Sequence, residues 1–115
     1  MIFSASYSQE YKIYNSIDEA LKSPDLVYKL VVNDKNLSNL TDSVGNLKNL
    51  TYLDIKFSKM TSLPESIGTL TNLTELHLAM NDLTSIPESI GNLKNLIHLD
   101  IKYNNLIDLP ESVGN

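Results

Sequence analysis

The chain has no cysteine among its 115 residues, which removes disulfides, thiolate metal sites and cysteine nucleophiles together. Glycine and proline are scarce, four of each; no glycine-rich loop cradles a phosphate and no serine stands in a nucleophile elbow. No apolar run approaches the roughly 20 residues that span a bilayer. The N-terminus also lacks a basic stretch followed by an apolar one, so it does not read as a signal peptide. The default expectation is therefore a cytoplasmic chain with no membrane partner. Basic residues are outnumbered, 9 Lys and Arg against 14 Asp and Glu, for a net charge of -5. That balance argues against a nucleic-acid partner, because tracking phosphates requires clustered positive charge.

What the chain does have is repetition. Residues 73–95 laid over residues 50–72 match at the apolar positions and at a Pro, a Ser, a Gly and a final Asn. The frame extends back to Val27 and on to the end, giving repeats at 27–49, 50–72 and 73–95 and an incomplete one at 96–115. Residues 1–26 form a separate N-terminal segment. Repeats of this length cannot bury an apolar face alone and must stack on their neighbours.

Within the first segment, Tyr7, Tyr11 and Tyr14 are spaced for one helical face, while Tyr11 and Ile13 alternating with Lys12 and Tyr14 suit a strand. The extended reading is preferred. Ser16 followed by Glu19 predicts a capping box, in which the hydroxyl takes the Glu19 N–H and the carboxylate reaches back. Ile17, Ala20 and Leu21 then share a face, and Pro24 stops the helix. Such a helix is placed to cover the raw edge of the first coil.

Each repeat is apolar at its first, fourth and sixth positions, for example Leu73, Leu76 and Leu78. The alternation between the last two is that of a strand with one buried face. Successive strands should run parallel, about 4.8 Å apart. Met60 and Leu63, or Leu83 and Ile86, turn the chain inward again; Pro64, Pro87 and Pro110 then interrupt any ladder, with Thr41 in that place in the first repeat. Gly45, Gly68, Gly91 and Gly114 call for positive φ or a close backbone approach. So many turns leave room for only short 3₁₀ or helical segments on the far side.

The pattern LxxLxLxxNxLxxLPxSIGxLxN resembles the leucine-rich repeat family, and its second half resembles the plant Ras-group and bacterial subclass. The entry at residues 16–24 looks like the cap helix of the bacterial members. The resemblance implies an α/β fold: a right-handed leucine-rich repeat solenoid with a narrow parallel sheet on the concave face, 3₁₀ segments on the convex face and an N-terminal cap helix. It also implies a non-catalytic module that binds a protein on the concave face, with no cofactor. One departure stands out. The family's ninth-position Asn is kept at Asn81 and Asn104 but replaced by Lys35 and Ser58, so the first two coils must satisfy their backbone otherwise, through Asn36 or water.

Outward residues should stack in columns, one from each coil. The third position reads Lys29, Tyr52, Glu75, His98; the fifth reads Val31, Asp54, His77, Asp100; the seventh reads Asn33, Lys56, Ala79, Lys102; the eighth reads Asp34, Phe57, Met80, Tyr103. Phe57, Met80 and Tyr103 either form an exposed interaction patch or fold back over the sheet edge. The candidate partner-binding set is Tyr52, Asp54, Lys56, Phe57, Glu75, His77, Met80, His98, Asp100, Lys102 and Tyr103. A metal site at His77, Asp54 and Asp100 is a remote alternative, behind a solvated or partner-facing polar surface, and no residue reads as catalytic.

Asn115 falls at the twentieth position of its repeat, before the letters that would close the coil. Leu96, Leu99, Ile101, Leu106 and Leu109 would then line an open edge. Self-assembly into a homodimer through that edge is the second functional reading.

Overall fold

The computed structural model describes residues 12–114. Tyr7 and Tyr11 lie outside them, and the extended reading can be compared only from Lys12 onward. There the chain forms a short strand, β1 (Ile13–Tyr14), which pairs in parallel with β2 (Lys29–Val32). Three more strands come after it, β3 (Tyr52–Ile55), β4 (Glu75–His77) and β5 (His98–Asp100), in the sheet order β1-β2-β3-β4-β5. Every pairing is parallel and the register repeats with the sequence: Lys29 opposes Tyr52, Tyr52 opposes Glu75 and Glu75 opposes His98.

The helix α1 (Ile17–Lys22) stands between β1 and β2. Ser16 caps it, its hydroxyl accepting from Glu19 N–H at 3.2 Å. Only half of the expected box forms, because the Glu19 carboxylate pairs forward with Lys22 Nζ at 2.9 Å, where an exposed ion pair at helical spacing competes with the reach back. Ala20 is fully buried, and Ile17 and Leu21 pack against the core of the first coil. Pro24 ends the helix and opens a 3₁₀ turn, Pro24–Leu26.

Opposite the sheet, each coil carries one 3₁₀ turn: Asp42–Asn46, Glu65–Thr69, Glu88–Asn92 and Glu111–Gly114. Pro64 and Pro87 precede them in extended conformation, φ -69 and -66, and Thr41 takes a similar one. Among the described residues no glycine has positive φ. Close approach is the reason for them: a Cβ on Gly68 would meet Ser89 Cβ and its carbonyl oxygen at 2.6 Å.

The core is a column of leucines between sheet and turns. Leu30, Leu53 and Leu76 are fully buried, as are Leu50, Leu73, Leu47 and Leu70. Each such side chain contributes about 2 kcal/mol from removal of apolar surface from water. In the fourth coil Leu96, Leu99, Ile101 and Leu106 are partly buried against this core, while Leu109 is 44% exposed. Among the described residues no helix is long and apolar enough to cross a membrane.

Candidate functional site

Strand register sets the lateral geometry of the outer sheet face. Residues at alternate strand positions point the same way, so Tyr52, Glu75 and His98 form one column and Asp54, His77 and Asp100 the next. The two columns interlock through aromatic contacts. The His77 ring lies 5.1 Å from that of Tyr52 and 4.9 Å from that of His98, tilted by 36° and 31°. His77 Nε2 is 3.1 Å from Glu75 Oε1. A continuous stack of phenol and two imidazoles therefore crosses three coils. Burial, and then the neighbouring Asp54 and Glu75 carboxylates, raise the Tyr52 phenol above its usual range.

Asp54 departs from its expected surroundings. It is only 7% exposed, its Oδ2 faces Lys56 Nζ at 3.4 Å, and its buried Oδ1 has no hydrogen-bond partner. The carboxylate is thus engaged along its own strand, and the ligand-type atoms that converge belong to His77, His98 and Asp100, within 4.8 Å of one another. The trio expected from sequence, with Asp54 in place of His98, does not correspond to this grouping. The group joins His77 to two residues of β5, its lateral neighbour Asp100 and its diagonal neighbour His98. In the seventh column Ala79 is buried while Lys56 and Lys102 reach solvent.

Beside these columns runs the eighth position, whose backbone conformation has no mark in the sequence. Phe57, Met80 and Tyr103 hold φ of 58°, 60° and 58°, a left-handed conformation that side chains other than glycine and asparagine seldom adopt and that costs roughly 1–2 kcal/mol each. Their side chains are not folded into the core: they are 56%, 40% and 73% exposed. Asp34, at the same position in the first coil, turns differently, its Oδ1 accepting from Asn36 N–H at 2.9 Å. Asn36 thus serves that turn through its backbone and not through its amide.

Met80 and Tyr103 are each anchored by the asparagine next to them in the chain. Asn81 Nδ2 donates to the Ile55 carbonyl of the preceding coil at 2.7 Å and to Leu78 O at 3.1 Å, and its Oδ1 accepts from Met60 N–H at 3.3 Å. Asn104 repeats this toward Leu78 O at 2.9 Å and Leu83 N–H at 3.0 Å. A second ladder is built from a letter that recurs in the sequence without announcing its role: Asn49, Asn72 and Asn95 donate to the carbonyls of Asp25, Lys48 and Thr71 at 2.8, 3.0 and 2.8 Å. These asparagines join coils and leave the outer columns as the variable part of the surface.

Comparison with known proteins agrees with this architecture. The family model described as leucine rich repeat matches residues 25–83, and the two-copy leucine rich repeats model matches residues 71–113. The chain belongs to the leucine-rich repeat family. No curated protein matches it. Among solved structures it is similar to a leucine-rich repeat protein of Leptospira interrogans, at 26% identity and a TM-score of 0.75 over 89% of this chain and 38% of that one. It is also similar to a chain of the BIR3–SERK2 complex of Arabidopsis thaliana, at 27% identity and a TM-score of 0.72 over 83% of this chain and 53% of that one. Internalin C2 of Listeria monocytogenes shares the fold at 19% identity, with a TM-score of 0.71 over 97% of this chain and 52% of its own. The chain thus spans about half or less of the length of these relatives.

Proposed function

We propose that this chain is a non-catalytic protein-binding module whose partner docks across the sheet face and the row Phe57, Met80 and Tyr103. The observation that supports it best is the combination of left-handed backbone and exposure at these three residues. Large side chains are kept in a costly conformation where the core gains nothing from them, and such strain gathers where a surface is used. Aromatic residues and methionine are also enriched in the centres of protein interfaces. Tyr52, Glu75, His77 and His98 extend the patch with polar groups that fix register. Lys56, Asp54, Asp100 and Lys102 supply charge of both signs around it. The Arabidopsis relative was solved in a complex with another protein, which is consistent with this use of the fold.

A second reading has two copies meeting through the fourth coil, where Ile97 and Ile107 are 85% and 87% exposed beside Leu96, Leu99, Ile101, Leu106 and Leu109. One pair of variants separates the two. Replacing Phe57, Met80 and Tyr103 together by serine should abolish capture of a protein from a lysate of the source organism while mass by light scattering stays constant. If that variant retains capture, or if Ile97→Lys and Ile107→Lys alone halve the mass in solution, the second reading replaces the first.

A further inference from the structure

We propose that His77, His98 and Asp100 bind a first-row divalent transition ion, zinc foremost, independently of any protein partner. These three side chains come from β4 and β5, which are adjacent and in register, and each offers a ligand atom within 4.8 Å of the others. Ligand atoms around a tetrahedral ion with bonds of about 2.0–2.2 Å stand roughly 3.3 Å apart. Closing that gap requires ligand atoms to move by roughly 1.5 Å, a distance of the size that side-chain rotation covers. The His98 side chain is exposed and is able to make the larger movement.

The surroundings favour a metal over simple ring stacking. Metal-ligating histidines characteristically give their other ring nitrogen to a carboxylate, which fixes ring and tautomer. Glu75 Oε1, 3.1 Å from His77 Nε2, is such a carboxylate. Asp100 is also oriented, its Oδ1 accepting from Lys102 N–H at 3.2 Å. Asp54, the register neighbour of His77 on β3, adds a buried carboxylate oxygen without a partner. Two imidazoles and one carboxylate suit zinc, nickel or copper, and not magnesium or calcium, which prefer oxygen ligands alone. Three protein ligands leave a fourth position to water or to a group presented from outside.

The chain contains two histidines, which makes the test specific. Tag-free protein is titrated with zinc chloride and, separately, with magnesium chloride by calorimetry, while imidazole resonances are followed by NMR. One zinc per chain should bind in the micromolar range, with both imidazoles shifting in step, and magnesium should not bind. His98→Ala and Asp100→Asn should weaken zinc by at least about tenfold, and Glu75→Gln by about ten- to a hundredfold. All three positions are solvent-accessible, and an unchanged thermal midpoint without metal certifies the fold. Absence of zinc binding at millimolar metal, a ratio of one zinc per two chains, or equal affinity in wild type and His98→Ala would each overturn the site. None of these outcomes depends on whether a protein partner is found.

Discussion

Asn81 and Ile55 are joined across two coils: the Asn81 amide donates to the Ile55 carbonyl at 2.7 Å in a buried setting. The same side chain also holds Leu78 O and Met60 N–H; Leu78 O keeps the Asn104 amide, so Asn81→Ala removes the asparagine partner of two buried backbone groups, Ile55 O and Met60 N–H. Each unsatisfied group costs about 1–3 kcal/mol, offset in part by local relaxation. The expected loss is about 2–4 kcal/mol in urea unfolding, and the less buried Asn104 should lose less when changed in the same way. Equal small losses at both sites would contradict the role assigned to this ladder.

Gly68 faces Ser89 so closely that no methyl group fits without displacing backbone. Gly68→Ala is expected to destabilise by about 1–3 kcal/mol through overpacking. Because φ at Gly68 is not positive, the loss reflects crowding between coils. A compensating Ser89→Gly change should therefore recover part of it, whereas a conformational origin predicts no rescue.

The left-handed row separates binding from stability. Glycine at positions 57, 80 and 103 relieves roughly 1–2 kcal/mol of strain per site while adding about 0.5–1 kcal/mol of unfolded-state entropy. The thermal midpoint of the triple glycine variant should then be no lower than that of wild type. Partner capture should disappear, because the apolar side chains are gone and the backbone is not.

Tyr52 gives a pH signature. Its phenol is held above the ordinary value of 10.0, by burial first and then by Asp54 and Glu75, so the folded chain retains the proton more tightly than the unfolded one. The contribution is complete below about pH 10 and is lost as pH rises through the higher folded value. Unfolding free energy should fall as pH rises above about 10, and fall less in Tyr52→Phe. Parallel slopes in the two proteins would remove Tyr52 as the source.

Much of this architecture was legible because stacking forces the same demand on every coil. Leu30, Leu53 and Leu76 occupy equivalent places, and an apolar letter recurring at that interval marks a side chain turned toward the shared core. The backbone of Phe57, Met80 and Tyr103 was not legible: no glycine marks it, and the conformation is imposed by the turn each makes into Ser58, Asn81 or Asn104. Nor did the letters show that Glu19 would turn to Lys22, or that Asp54 would be drawn to Lys56. Those choices rest on side-chain reach among competing partners of similar energy. The diagonal pairing of His77 with His98 likewise depends on side-chain orientation, which periodicity does not encode. The asparagines at 49, 72 and 95 were visible as letters, yet only the structure gives them carbonyls to hold.

The bonds between coils have one further consequence. Thr51 Oγ1 reaches Tyr28 O and Thr74 Oγ1 reaches Thr51 O, both over a sequence separation of 23. Every closure is the same short loop, so the entropic cost of adding a coil does not grow with the number already formed. Order can nucleate at any coil and spread to its neighbours, with coupling that fades along the axis. An altered outer residue in one coil therefore perturbs mainly the next, and the face can acquire new chemistry one row at a time while distant rows keep theirs.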